Sequence, residues 1–80
     1  MEPSALRFEI LKQIEQHENT GSSAYLDDTI IAEKLGVGKT DIQRQLTILE
    51  NRGQVDLAKS FGPSFGARLT ADGLEALEAS

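Results

Sequence analysis

The sequence predicts a small, mostly helical α+β domain: three helices, a β-hairpin and a short closing helix. Three observations predict it. Residues 30–52, IIAEKLGVGKTDIQRQLTILENR, hold two apolar-patterned helical runs separated by Gly36-Val37-Gly38. Residues 54–69 hold two apolar segments around a turn rich in Gly, Pro and Ser. Thr70 then opens a last amphipathic run. The chain of 80 residues is read as a single domain, 1–80, with a modest core and a stability of about 5 kcal/mol.

The elements follow in order. Pro3 to about Glu18 forms the first helix, with Ser4 as N-cap or Pro3 at an early helical position. Its apolar stripe is Leu6, Ile10 and Ile14 with Leu11 beside them; Phe8 lies off the stripe. Residues 19–23, NTGSS, are a loop by composition. Ala24-Tyr25-Leu26 forms a brief edge strand or leads directly into the second helix. That helix is capped by Asp27 or Asp28, both favourable at its positive end, and carries Ile31, Ala32 and Leu35. Gly36 can take the left-handed conformation that ends a helix, and Val37 can plug the angle beyond it. The third helix runs from about Lys39 to Asn51, with Ile42, Leu46 and Leu49 on one face. Small Ala32 lets the two helices approach, a helix-turn-helix composition. Gly53 sits at a C-cap. Gln54–Lys59 then alternates as a half-buried strand, with Val55 and Leu57 on one side. Residues 60–66 are turn chemistry, 67–69 return as a second strand, and Thr70 caps a helix from Ala71 to about Ala79 with Leu74 and Leu77 apolar.

Composition removes several function classes. There is no cysteine, hence no disulfide and no thiolate metal site, which fits a reducing cytoplasm. No apolar run approaches the roughly 20 residues of a membrane span. The N-terminus, MEPSALRFEILK, lacks the basic and apolar regions of a signal peptide. A cytoplasmic protein without membrane contact is expected. The single histidine, His17, has no second His or Cys with which to build a nucleophile–base pair, which leaves a carboxylate-only site as the one catalytic alternative; no enzyme, metal or cofactor is expected. Gly36-Val37-Gly38-Lys39-Thr40 imitates the end of a phosphate-binding loop. Glu33 stands where that loop needs its first glycine, however, and the preceding segment is helical rather than a strand.

The net charge is −5, but it is unevenly spread. Between Lys39 and Arg68 lie five basic residues (Lys39, Arg44, Arg52, Lys59, Arg68) and three acids (Asp41, Glu50, Asp56). The remainder holds three basic residues against ten acids. Such asymmetry suits a chain with one face for a polyanion.

Ala32, Gly36 and Ile42 fall at the small, glycine and branched-apolar positions of the helix-turn-helix signature. The element order, LGVGKTDIQRQLTILENRGQV and the closing ARLTADGLEAL resemble the winged helix-turn-helix superfamily of MarR- and ArsR-like transcriptional regulators. The resemblance covers nearly the whole chain. It implies a three-helix core, a C-terminal β-hairpin wing and a short final helix.

With Ile42, Leu46 and Leu49 inward, Lys39, Thr40, Gln43, Arg44 and Thr47 are expected outward. These groups suit a major groove: Arg forks onto guanine, Gln pairs with adenine, and Thr reaches phosphate or a thymine methyl. The resemblance assigns base contacts to Thr40, Gln43, Arg44 and Thr47, a phosphate contact to Lys39, and backbone contacts to Lys59 and Arg68 of the wing. It thus implies a double-stranded-DNA-binding transcription regulator with helix 39–52 in the major groove and wing 54–69 on the backbone. A homodimer through the first and last helices is the expected assembly. The long dimerisation helices and the cysteine or histidine clusters of such regulators are absent, which disfavours an effector or metal sensor.

Two residues depart from the pattern. Asp41 replaces the more usual hydroxyl residue, and Gln54 replaces the more usual apolar one. Asp41, the acidic surface and the aromatic wing residues Phe61 and Phe65 also suit a different reading, a winged-helix protein-interaction module without DNA binding, with Phe61/Phe65 as the contact.

Overall fold

A computed structural model describes residues 1–22, 24–59 and 62–79. The elements are α1 (Pro3–Asn19), β1 (Leu26–Asp27), α2 (Asp28–Leu35), α3 (Lys39–Asn51), β2 (Val55–Ala58), β3 (Gly66–Leu69) and α4 (Ala71–Glu78). Three helices, a hairpin wing and a short last helix make this a winged helix-turn-helix fold, as the sequence predicts.

Local chemistry accounts for the boundaries. Glu2 is the N-cap of α1 and Pro3 takes N1, where its missing N–H costs nothing. Asp27 caps α2 by accepting the Thr29 N–H at 2.7 Å. Gly36 ends α2 at φ 65°, a left-handed conformation that a Cβ would penalise. Val37 donates its N–H to the Ala32 carbonyl and packs against the core, holding the turn between α2 and α3. Gly38 is the N-cap of α3 and offers no side chain to cap it. Thr70 caps α4: its hydroxyl accepts the Gly73 N–H at 3.1 Å and donates to the Gly53 carbonyl.

The core is made where the helices converge on the sheet. Leu6, Ile10, Leu11 and Ile14 of α1 meet Ile31 and Ala32 of α2 and Ile42, Leu46 and Leu49 of α3. Leu26, Val55 and Ala67 close it from the sheet side. Each fully buried branched side chain contributes about 1.5–3 kcal/mol of transfer free energy. Gln45 joins the buried face of α3, its Oε1 accepting from the Arg7 guanidinium at 2.9 Å.

The sheet has the order β1-β3-β2, antiparallel throughout. Leu26 pairs with Ala67 and Asp27 with Gly66, while Val55 pairs with Leu69 and Ala58 with Gly66. The brief edge strand is therefore realised at Leu26–Asp27, sharing only Leu26 with the triplet 24–26. It puts β3, not β2, in the middle. Glu18 at the end of α1 accepts the Leu69 N–H at 2.9 Å, fastening that helix to the far end of β3. His17 Nε2 lies 3.0 Å from the Ala24 carbonyl and so closes the loop after α1.

Candidate nucleic-acid interface

The candidate interface begins at α3, whose buried edge is Ile42, Gln45, Leu46 and Leu49. That orientation turns Thr40, Asp41 and Arg44 to solvent and leaves Lys39, Gln43 and Thr47 half-buried. The wing returns over the start of this helix. Lys39 Nζ donates to Ser64 Oγ at 2.8 Å, and Gln43 Nε2 donates to the Pro63 carbonyl at 2.5 Å.

Beneath these contacts lies Asp28, the first residue of α2, with no exposed surface. A carboxylate buried so completely needs compensating partners. Its Oδ2 accepts from Gln43 Nε2 at 2.6 Å and from the Phe65 N–H at 2.9 Å. Its Oδ1 accepts the Thr29 hydroxyl at 3.4 Å and faces Lys39 Nζ at 4.0 Å. One buried acid thus joins α2, α3 and the root of β3.

The expectation of Gln43 as an outward adenine reader meets a different geometry. Both protons of its amide nitrogen are engaged, one by Asp28 and one by Pro63. Bidentate pairing with adenine needs an amide donor as well as the carbonyl acceptor. Turning the amide over would set its oxygen against a carboxylate and a carbonyl, so the orientation is fixed by chemistry.

Arg44 is the most available of the expected readers. Its guanidinium pairs with Asp41 at 3.3 Å, and the two side chains are 64% and 56% exposed. An ion pair so exposed contributes about 0–1 kcal/mol and is readily exchanged for another anion. Asp41, the acid expected to disfavour a DNA contact, is thereby this arginine's partner. Thr47 donates its hydroxyl to the Gln43 carbonyl at 3.0 Å, leaving its methyl and lone pairs for other contacts.

On the wing, Lys59 pairs with Glu50 of α3 at 3.3 Å and lies 5.2 Å from the centre of the Phe65 ring. Arg68 is exposed and stacks 5.3 Å from the centre of the Tyr25 ring. Three of the five cations of residues 39–68 thus face an acid within the fold, Lys39 with Asp28, Arg44 with Asp41 and Lys59 with Glu50, and of these acids only Asp28 lies outside the segment.

Phe65 is half-buried against the core, which turns the aromatic wing inward at that position. Phe61 and Ser60 lie outside the described residues. The expected dimer surfaces are unequal. The apolar stripe of α1 is consumed by the core, whereas Leu74 of α4 stays 39% exposed and Leu77 is partly buried.

Neighbouring Asp27 remains exposed, and the Thr29 N–H holds its carboxyl below the usual aspartate range. Among the described residues no group of three His, Cys, Asp or Glu is placed to hold a metal ion. No described helix is long and apolar enough to cross a membrane.

No protein-family model and no curated protein matches the chain. A solved structure does. It is a protein from Ralstonia eutropha JMP134, described as a "putative DNA-binding protein", superposing with a TM-score of 0.81 at 19% sequence identity. The superposition covers 99% of this chain and 95% of that one. At that identity the likeness shows a shared fold from end to end.

Asp28 is the residue that sequence reasoning undervalued. It was one of two alternative caps. A helix needs one N-cap, and Asp27 supplies it. The second acid in the Asp27-Asp28 pair, next to Thr29 and Ile30, is left over once the cap is filled. That redundancy was the available signal.

Proposed function

We propose that this protein is a double-stranded-DNA-binding transcription regulator of the MarR- and ArsR-like kind, with α3 in the major groove and the wing on the flanking backbone. The observation that carries the reading is the pairing of α3 with its wing. Residues Pro63 and Ser64 are bonded to the first two turns of α3, while Thr40 and Arg44 on those turns face solvent. Helix face and wing thereby form one continuous surface, as groove entry with a backbone-following wing requires. The full-length likeness to the Ralstonia protein supports the same reading through its fold and its description.

In this mechanism Arg44 exchanges its Asp41 partner for the O6 and N7 acceptors of a guanine. Thr40 and the methyl of Thr47 contact the neighbouring base edges. Lys59 and Arg68 hold phosphates along the wing. One domain of this size covers a short site, so useful affinity comes from a homodimer on a two-fold site, with Leu74 of α4 at the joint. Location is the cytoplasm, and no cofactor takes part.

The test is selection from a random duplex library at two salt concentrations. Enrichment of one motif, with affinity falling as salt rises, is the expected result. Arg44→Ala should cost about 1–3 kcal/mol of affinity for that motif and relax one base position. Absence of enrichment, with no binding at low salt, would overturn the proposal in favour of a protein-interaction module.

A further inference from the structure

We propose that Asp28, buried below the interface, determines which residues of α3 read DNA: it withdraws Gln43 and Lys39 from the groove and leaves the reading to Arg44 and Thr40. The inference rests on the DNA-binding role proposed above.

Four observations carry it. Asp28 is completely buried although it belongs to the first turn of a helix, where an acid is normally solvated. Its Oδ2 takes one amide proton of Gln43 at 2.6 Å while the Pro63 carbonyl takes the other, which exhausts the donor that adenine would need. Its Oδ1 faces the Lys39 ammonium at 4.0 Å, and Ser64 accepts from the same nitrogen at 2.8 Å, so this cation, its side chain 37% exposed, is held against the wing. The Phe65 N–H reaches the same Oδ2 at 2.9 Å and ties the root of β3 to the assembly. Gln43 and Lys39 thus act as struts between α3 and the wing.

Asp28 is a positioning residue, and its chemistry separates two of its effects. In Asp28→Asn the remaining carboxamide oxygen can keep the Gln43 and Phe65 bonds. The new NH2 group then faces Lys39 and repels it. Lys39 then keeps Ser64 alone as a partner and is freer to swing to a phosphate, while the strut at Gln43 stays.

The test uses the whole chain and the duplex selection above, with salt titrations on the selected duplex. Gln43→Ala should preserve every base preference of the wild-type motif, because Gln43 reads none. Loss of preference at one position would overturn the inference. Asp28→Asn should steepen the slope of log K against log[salt] by about one unit, the release of roughly one further counterion. The added steepness should vanish in Asp28→Asn/Lys39→Met. A slope unchanged in Asp28→Asn would overturn the restraint on Lys39, and a merely structural role for Asp28 would lower affinity without steepening it. Failure of the wild-type protein to select any motif would overturn the DNA reading itself, and with it the role given to Asp28. A wild-type motif that weakens at one base in Gln43→Ala would overturn only the present inference.

Discussion

Gly73→Ala reverses the usual effect of replacing a helical glycine. Within an exposed helix the change is favourable by about 1 kcal/mol, because alanine has the higher propensity. Gly73 lies in the first turn of α4, buried against Gln54, the residue before β2, and Leu69 of β3. A Cβ built there falls 2.1 Å from the Gln54 carbonyl oxygen and 3.1 Å from Leu69 Cδ2. An ordinary contact begins at 3.4 Å, and the obstacle is backbone, so α4 must lift by about 1 Å, an overpacking that costs about 1–3 kcal/mol. Lifting it strains two bonds at the same junction, Thr70 N–H to the Gln54 carbonyl and Thr70 hydroxyl to the Gly53 carbonyl. Each is worth about 1 kcal/mol net. Against the propensity gain, the balance is a loss of about 2 kcal/mol. For a chain this short that lowers the melting temperature by about 10 °C. Urea unfolding followed by circular dichroism should show an earlier midpoint at unchanged slope. A Gly73→Ala protein as stable as the wild type, or more so, would refute the close crossing of α4 over Gln54.

Three further outcomes follow from the same contacts. Asp27→Ala removes the cap on α2 and should cost about 1 kcal/mol near neutral pH. The Thr29 N–H lowers this carboxyl in the folded state, so its contribution is complete above the unfolded value of about 3.9 and fades as pH falls through the lower folded value; the difference between the two proteins in denaturant midpoint should therefore shrink on acidification. Gly38→Ser supplies the capping oxygen that α3 lacks, at a φ of −62° that any residue adopts, and should raise stability by about 0.5 kcal/mol in the same assay. Leu46→Ala, at a position with no exposed surface, should cost about 2–5 kcal/mol, a large share of the roughly 5 kcal/mol expected for the domain, visible as a much earlier urea midpoint.

What the sequence disclosed and what it hid divide along chain distance. The limits of α3, the left-handed Gly36, the buried trio Ile42, Leu46 and Leu49 and the Thr70 cap are local, set by near neighbours and by period. β1 was legible only as a possibility, since two residues show no alternation; its partner β3 lies far along the chain. Asp28 was hidden for the same reason, because its decisive bond comes from a backbone N–H 37 positions away. Gln45 presented a polar letter on an apolar face, and only Arg7, 38 positions distant, explains its burial. Within the candidate site, Arg44 and Thr40 came out solvent-facing, as the helical period alone requires. The orientation of Gln43 and Lys39 depended on a wing whose return path no local pattern encodes.

The central place of β3 has a consequence for how the chain is made. Synthesis delivers β1, then the two helices of the turn motif, then β2, and the strand that joins β1 to β2 arrives after all of them. Until it does, Leu26 and Val55 have no ladder partner, Asp28 lacks the Phe65 N–H, and Glu18 awaits a donor 51 positions downstream. The nascent helices can form and touch, but the contacts that fix wing, turn motif and first helix together all wait for the segment 65–69. A released chain ending before Gly66 would expose the apolar edge of its unfinished sheet to chaperones, and one ending past Leu69 would not.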